Sequence, residues 1–393
     1  MDGLTEPSVL RQQSVVSTGC IASDTTCPVT ALQGQLGVSD FSLVVLFVSP
    51  DADFAAIMEK AHQVWSGAQV VGCRTAGEIA QGQGYCDGSI VALGFPSSLF
   101  QVETQIFQNI QKLDEREAIE ATILARTKLA RQAQALPNEF AMLLVDGLSL
   151  AEDRLVAALS SGLGPIQMFG GSSGDGVRFE DAPIAVGAQV YNDAAVLVLV
   201  RTRCEAKVFS LNNFVPTDQR MVVTKADPNR RIVQEINAEP AAIELGRLLG
   251  KAPGQIDTFT FAENPMVVRF GDTHHVRAIK RVTDNGELEF FSAIDEGLVL
   301  TIAKGSDMVE HLDASLQGLS NGSAPEMVIA CDCILRRIEA GQKQQTRAVS
   351  AVLRDHNVVG FSTYGEQFGG LHVNQTMTGV ALFSPKDGQT HDP

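Results

Sequence analysis

The hydrophobic pattern along the chain switches repeatedly between strand and helix periods. The run FSLVVLFVSP (41–50) is almost continuously apolar and ends on a turn signal, which predicts a buried strand. The next segment, Ala52 to Trp65, sets Phe54, Ile57, Met58, Ala61 and Trp65 at three- and four-residue spacing and predicts an amphipathic helix. AQVVGCRTAGE (68–78) then predicts a short strand entering a glycine turn.

The same order returns twice. FAMLLVDG (140–147) reads as a strand and LSLAEDRLVAALSSGLG (148–164) as a helix with Leu155, Val156 and Leu159 on its apolar side. PIQMFGGSSGDG (165–176) reads as a short strand entering a glycine-rich turn. The third copy runs from EMVIACDC (326–333) through a long helix interrupted by Gly341 to NVVGFSTYGE (357–366). VVGCRTAGE (70–78) and VVGFSTYGE (358–366) share six of nine residues. A strand–helix–strand unit of this length predicts a parallel pair with a crossover helix. The fold class is therefore α/β in a mixed α+β arrangement, built by duplication.

Between the units, GSIVALGF (88–95), FQVETQIF (100–107) and AAVLVLVR (194–201) read as sheet strands, and LEFFSAIDEGLVLTIAKGSD (288–307) as a strand pair with a short turn. Asp227-Pro228-Asn229 is a breaker, followed by a strand, RIVQEIN, and a helix, PAAIELGRLLG. These shifts divide the chain into a loose N-terminal segment (1–38), a first domain (39–225), a second domain (226–384) and a tail (385–393).

A length of 393 residues agrees with two domains. The net charge of −16 argues against nucleic acid and anionic membrane as partners. The longest apolar runs, Leu43–Val48 and Ala194–Val200, fall far short of the ~20 residues of a membrane helix. With Asp2 and Glu6 and no apolar core, the first residues are not expected to act as a secretory signal, and seven cysteines, an odd number, fit reduced thiols in a cytoplasm. Cys331-Asp332-Cys333 lacks zinc spacing.

Candidate chemistry sits in the glycine turns. Gly170-Gly171-Ser172-Ser173-Gly174 matches G-x-S-x-G, but Gly-Asp-Gly follows instead of a helix, so a hydrolase elbow is not expected. Cys73 and Cys333 are candidate thiol nucleophiles whose simpler reading is small buried side chains. Thr75, Glu78, Ser172, Ser173, Thr363, Tyr364 and Glu366 offer hydroxyls and carboxylates to a ligand where glycines let the backbone approach. The alternative is that Thr and Glu cap local backbone groups.

Taken in order, GCRTAGE (72–78), FGGSSGDG (169–176), CDCILRR (331–337) and GFSTYGE (360–366) resemble paired FIST domains, N-terminal then C-terminal, over about 40–380. The resemblance implies a sensory rather than an enzymatic protein. One branch, called NosP, consists of free-standing FIST proteins that bind haem b, detect nitric oxide and regulate a partner in trans. Such a partner is a sensor histidine kinase or a cyclic-di-GMP synthase or phosphodiesterase, with biofilm control as the output. Homodimerisation stays open. The FIST motifs carry no histidine, so an axial iron ligand must come from elsewhere. GGLHVNQTMTGVALF (369–383) alternates as a strand with His372, Asn374, Thr376 and Thr378 on one face, which makes His372 the first candidate, followed by His275 and His356. The competing expectation is a sensor of a small amino-acid-like ligand without haem.

Overall fold

The computed structural model describes residues 14–270 and 273–385. Three strand–helix–strand repeats organise the molecule. The first comprises β1 (Ser17–Ala22), α1 (Pro28–Leu36), β2 (Phe41–Val48), α2 (Phe54–Val64), β3 (Gln69–Arg74), β4 (Glu78–Ala80), β5 (Gly84–Cys86) and β6 (Ser89–Pro96). The second comprises β7 (Phe100–Gln108), α3 (Glu115–Gln132), β8 (Asn138–Val145), α4 (Glu152–Leu163), β9 (Met168–Ser172), β10 (Ile184–Val186), β11 (Gln189–Tyr191) and β12 (Ala194–Thr202).

The third repeat begins with β13 (Ala206–Asn212) and is then interrupted by an insertion. The insertion holds β14 (Phe214–Asp227), β15 (Ile232–Ile236), β16 (Glu239–Pro240), α5 (Ala241–Leu249), α6 (Thr258–Glu263), β17 (Met266–Phe270), β18 (Thr273–Val276), β19 (Ile279–Val282), β20 (Leu288–Phe290) and β21 (Val299–Gly305). The repeat resumes with α7 (Met308–Gln317), β22 (Met327–Cys333), α8 (Ile334–Gln342), α9 (Thr346–Asp355), β23 (Val358–Thr363), β24 (Glu366–Phe368), β25 (Leu371–Val373) and β26 (Thr376–Leu382).

Each repeat forms a six-stranded sheet, in the orders β1-β6-β2-β3-β10-β11, β7-β12-β8-β9-β24-β25 and β13-β26-β22-β23-β4-β5. The pairs β2–β3, β8–β9 and β22–β23 are parallel, as crossover helices require. The last two strands of every sheet come from another repeat. The first repeat lends β4–β5 to the third, the third lends β24–β25 to the second, and the second lends β10–β11 to the first. The exchange is a closed cycle.

The three sheets enclose one core, in which Val45, Phe47, Val71 and Cys73 meet Met142, Leu144 and Phe169, and both sets meet Ile329, Cys331, Val359 and Phe361. Phe47 stacks on Phe361 with centroids 4.5 Å apart. Helices α1–α2, α3–α4 and α7 with α9 cover the outer faces. Strands covered on both faces must be apolar throughout, which explains the uninterrupted runs at 43–48 and 194–200.

The glycine turns meet where the cycle closes. Ala76 N–H donates to Ser362 O (2.9 Å), Tyr364 N–H to Ser172 O (3.2 Å) and Gly174 N–H to Arg74 O (3.1 Å). This three-bond ring makes Thr75, Ser173 and Thr363 equivalent, and likewise Gly72, Gly170 and Gly360. Each of those glycines is crossed by a borrowed strand residue: Ala185, Gln367 and Ile79 respectively. A Cβ on Gly360 would lie 1.8 Å from Ala330 O, so no side chain fits.

Several expectations need correction. The boundary at 225 falls inside β14, and the segment 226–384 combines most of the insertion with most of the third repeat. The N-terminal segment is structured from Ser17, as a polar edge strand and a short helix. Strands β20 and β21 are not a hairpin, since β14 and β15 lie between them in the inserted sheet β18-β17-β21-β14-β15-β20-β19. The stretch after Gly370 is two strands in two sheets, divided at Gln375, whose φ of 50° breaks the extended chain. Helix α3 was not anticipated because its buried stripe is Ala118, Thr122, Ala125 and Leu129, which gives only a weak hydrophobic period.

Candidate functional site

The two copies of the opening motif build the same clamp. Thr75 donates its hydroxyl to Glu78, whose other oxygen accepts Ser89 N–H at 3.1 Å. Thr363 donates to Glu366, which accepts Thr376 N–H (3.2 Å) and Thr376 Oγ1–H (2.8 Å). Each clamp ties the start of a borrowed hairpin to the strand that follows it. All four side chains are fully buried. Burial pushes the carboxyl of Glu78 up to about 7 and that of Glu366 up to about 8, against the pull of their hydrogen bonds.

The other turn residues are also engaged inside the chain. Ser173 Oγ lies within hydrogen-bond reach of Val145 O (3.0 Å) and Ala182 O. Tyr364 donates to Asp175 and accepts Asp175 N–H at 3.0 Å. Ser172 Oγ accepts Gln367 Nε2–H at 3.0 Å. Among the seven turn residues read as ligand-facing, the hydroxyls and carboxylates therefore meet neighbouring protein groups.

The CDCILRR segment locks the first hairpin onto the third sheet. Arg336 Nε donates to Asp332 (2.7 Å) and its Nη1 to Asn213 (2.8 Å), while Tyr85 of β5 donates to the same Asp332. Arg337 lies over the Tyr85 ring at 4.7 Å and donates to Cys86 O (2.8 Å), Asp87 (2.7 Å) and Glu78 O (3.2 Å).

A different environment surrounds the hairpin borrowed from the third repeat. Gln367 stands opposite His372 across β24–β25, at the positions that Ile79 and Tyr85 occupy in the first hairpin. Gln367, His372, Asn374 and Gln375 are all buried. Gln367 Oε1, His372 Nε2, both side-chain polar atoms of Asn374 and Gln375 Oε1 are buried without a hydrogen-bond partner. Buried polar atoms are normally paired, and leaving one orphaned costs about 1–3 kcal/mol. Here five such atoms fall on four neighbouring residues.

The insertion covers this place. Arg277 Nη1 donates to His372 O (3.2 Å), and Gln375 Nε2 donates to Ala262 O in α6 (2.7 Å). Arg231 is buried and spans to α4, donating to Glu152 (2.7 Å) and Asp153 (3.3 Å). Burial holds the imidazole of His372 below its ordinary range, so the ring is neutral; Glu152 and Asp153 oppose this shift, and Arg231 and Arg277 add to it. Gly365 lets the ring lie against the backbone, since a Cβ there would sit 2.3 Å from His372 Cε1. Phe179 packs on Tyr364 at 4.5 Å and on Phe291 at 5.8 Å, forming an apolar wall between the turns and the insertion.

The three candidate histidines are not brought together. His372 lies on β25, His275 on β18 opposite Val268, and His356 at the end of α9 with Nε2 2.8 Å from Asp313. Among the described residues, no cluster of three or more His, Cys, Asp or Glu could hold a metal ion. No helix of the described residues is long and apolar enough to cross a membrane.

Sequence reading reached His372 and Asn374 but not Gln367, Gln375, Arg277, Arg231 or Glu152. The last three come from distant segments that only the fold assembles.

No curated protein matches the chain. The FIST N domain family model matches residues 42–239 and the FIST C domain model residues 241–369. The seam between the two models falls within the insertion, so they divide the third repeat differently from its sheet. Both matches together span most of the 393 residues, and the chain belongs to the FIST family, whose domains are signal-transduction sensors that bind small ligands.

Proposed function

We propose that the protein is a sensor of a small polar molecule of amino-acid type, bound at the Gln367–His372–Asn374–Gln375 cluster under the insertion. The observation that supports this most is the set of five orphaned polar atoms. Three of them are amide oxygens that accept hydrogen bonds, which suits an ammonium or amide donor. Arg277, whose guanidinium donates to the His372 backbone carbonyl, supplies a cation for a carboxylate. Binding would join the insertion to the second and third repeats, and that coupling is the natural signal. A sensor histidine kinase or a cyclic-di-GMP enzyme, as the family resemblance implies, would receive it.

The haem and nitric-oxide reading rests on the orphaned Nε2 of His372. An axial histidine needs an apolar slot for the porphyrin. The neighbours here are amides, carboxylates and guanidinium groups, and they fit a polar ligand better than haem. Two measurements separate the readings. A thermal-shift screen over amino acids and small carboxylates should find a ligand that raises the melting temperature; at a hundred times Kd the gain is about 2.7 kcal/mol. Haem reconstitution should give no His372-dependent Soret band. A Soret band that shifts with nitric oxide and disappears in His372→Ala would overturn the polar-ligand reading.

A further inference from the structure

The three borrowed hairpins do not close their seams equally. In the second hairpin Val186 pairs with Val71, and in the third Phe368 pairs with Phe169. Val186 and Phe368 both pack against the central core. In the first hairpin the ladder stops at Ile79 opposite Gly360, and the residue that would continue it is only an alanine, Ala80. Val359, the counterpart of Val71 and Phe169, is left at the bottom of an open polar cavity of about 250 Å³, beside Val91 of β6. The edge strand β1 walls this cavity with Thr18 and Cys20. Gln35 of α1 and Gln81 and Gln83 of the hairpin tip form its rim.

Two rim amides are already held by their oxygens. Gln35 Oε1 accepts Cys20 N–H (2.7 Å), and Gln81 Oε1 accepts the Thr18 hydroxyl. Each bond leaves a side-chain NH₂ that has no partner among the described residues. The Gln83 carboxamide adds an acceptor and a donor. The described lining residues include no charged group, so an ion enclosed there would lose hydration without gaining a counter-charge. They include no aromatic ring either, so a planar base would have nothing to stack on.

We propose that this cavity is a second binding site, which takes a neutral polyhydroxylated molecule of monosaccharide size. Hydroxyl oxygens of the ligand accept from the free NH₂ groups of Gln35 and Gln81, and its hydroxyl hydrogens go to the Gln83 and Thr18 oxygens. Its C–H face rests on Val91 and Val359. The volume lies just below the ~300 Å³ at which small-molecule sites begin, which suits one sugar ring and not an oligosaccharide. The site is distinct from the Gln367–His372 cluster, which belongs to the hairpin lent to the second sheet. A ligand here bridges the first sheet to the hairpin that its own repeat lends to the third.

The test is saturation-transfer NMR of the full chain with glucose, galactose, ribose and myo-inositol, and with glucuronate and glucosamine as charged counterparts. At least one neutral probe should give a transfer signal that titrates, and should slow alkylation of Cys20 by iodoacetamide in peptide mapping. Gln81→Leu and Gln35→Leu should each weaken that probe at least about tenfold with the urea midpoint unchanged, while Asn374→Leu leaves its affinity as in wild type. Should either glutamine variant lose stability, Gln83→Ala reads the same rim, since the Gln83 side chain bonds nothing else among the described residues. No signal from any neutral probe, tighter binding of glucuronate or glucosamine than of glucose, or wild-type affinity in the stable rim variants would overturn the proposal.

Discussion

The first and third borrowed hairpins start from nearly the same nine residues and part immediately afterwards. Both begin with a Thr–Glu clamp, Thr75–Glu78 in one and Thr363–Glu366 in the other. In the first, the next cross-strand pair is Ile79 with Tyr85, whose hydroxyl is bound by Asp332 and whose ring is covered by Arg337. In the other, the pair is Gln367 with His372, followed by Asn374 and Gln375, and five polar atoms remain unpaired. The clamp is therefore scaffold in both places. The change from a satisfied apolar pair to an unsatisfied polar one is the difference on which the proposed binding site rests.

Truncating the satisfied hairpin should produce the largest effect. Arg337→Ala removes a ring contact and several hydrogen bonds at once and should cost about 3 kcal/mol, seen as a lower urea midpoint. The contrasting change, Asn374→Leu, deletes two orphaned atoms and should leave stability within about 1 kcal/mol of wild type or raise it. Equal losses in both variants would erase the distinction between the hairpins.

A smaller effect is expected from Gly365→Ala. Its Cβ would push the His372 ring aside and cost about 1–3 kcal/mol through overpacking. Ligand-induced stabilisation should disappear with it. The equivalent position in the first hairpin, Gly77, instead faces the Arg337 guanidinium, so alanine there should weaken the hairpin lock and leave ligand response intact.

A further effect, spread over the pH range, is shared by both clamps. Because the folded carboxyls of Glu78 and Glu366 titrate near 7 and 8, above the usual Glu range, the fold prefers them protonated. That contribution is complete below the ordinary Glu range and is lost as pH rises through 7 and 8, with a slope of at most ~1.4 kcal/mol per pH unit per group. Glu78→Gln and Glu366→Gln should each flatten the fall in stability between pH 5 and 9 seen by denaturant titration. An unchanged slope in both would mean that the carboxyls are ionised in the fold.

The repeats were legible in the sequence because strand, helix and glycine turn follow one another in a fixed order with distinct periods. The exchange of hairpins was not. The strands involved are three residues long, such as Glu78–Ala80 and Glu366–Phe368, too short to show a period, and their partners are set by tertiary contact. The pause at Gln375 was hidden because HVNQTMTG alternates as a strand would, while the left-handed residue that divides it is not a glycine. At the candidate site, His372 stood out as a residue type, but its buried setting beneath the insertion, beside Arg277, is made only by the fold.

The central claim is that binding resides at the polar hairpin and not at its repeated counterpart. The most direct measurement is titration calorimetry with the strongest binder from the amino-acid and carboxylate screen, run on wild type, Asn374→Leu and Tyr85→Phe. The account predicts that Asn374→Leu loses at least about tenfold in affinity, equivalent to 1.4 kcal/mol, while Tyr85→Phe binds as wild type. Equal affinity in all three proteins, or a loss confined to Tyr85→Phe, would contradict it.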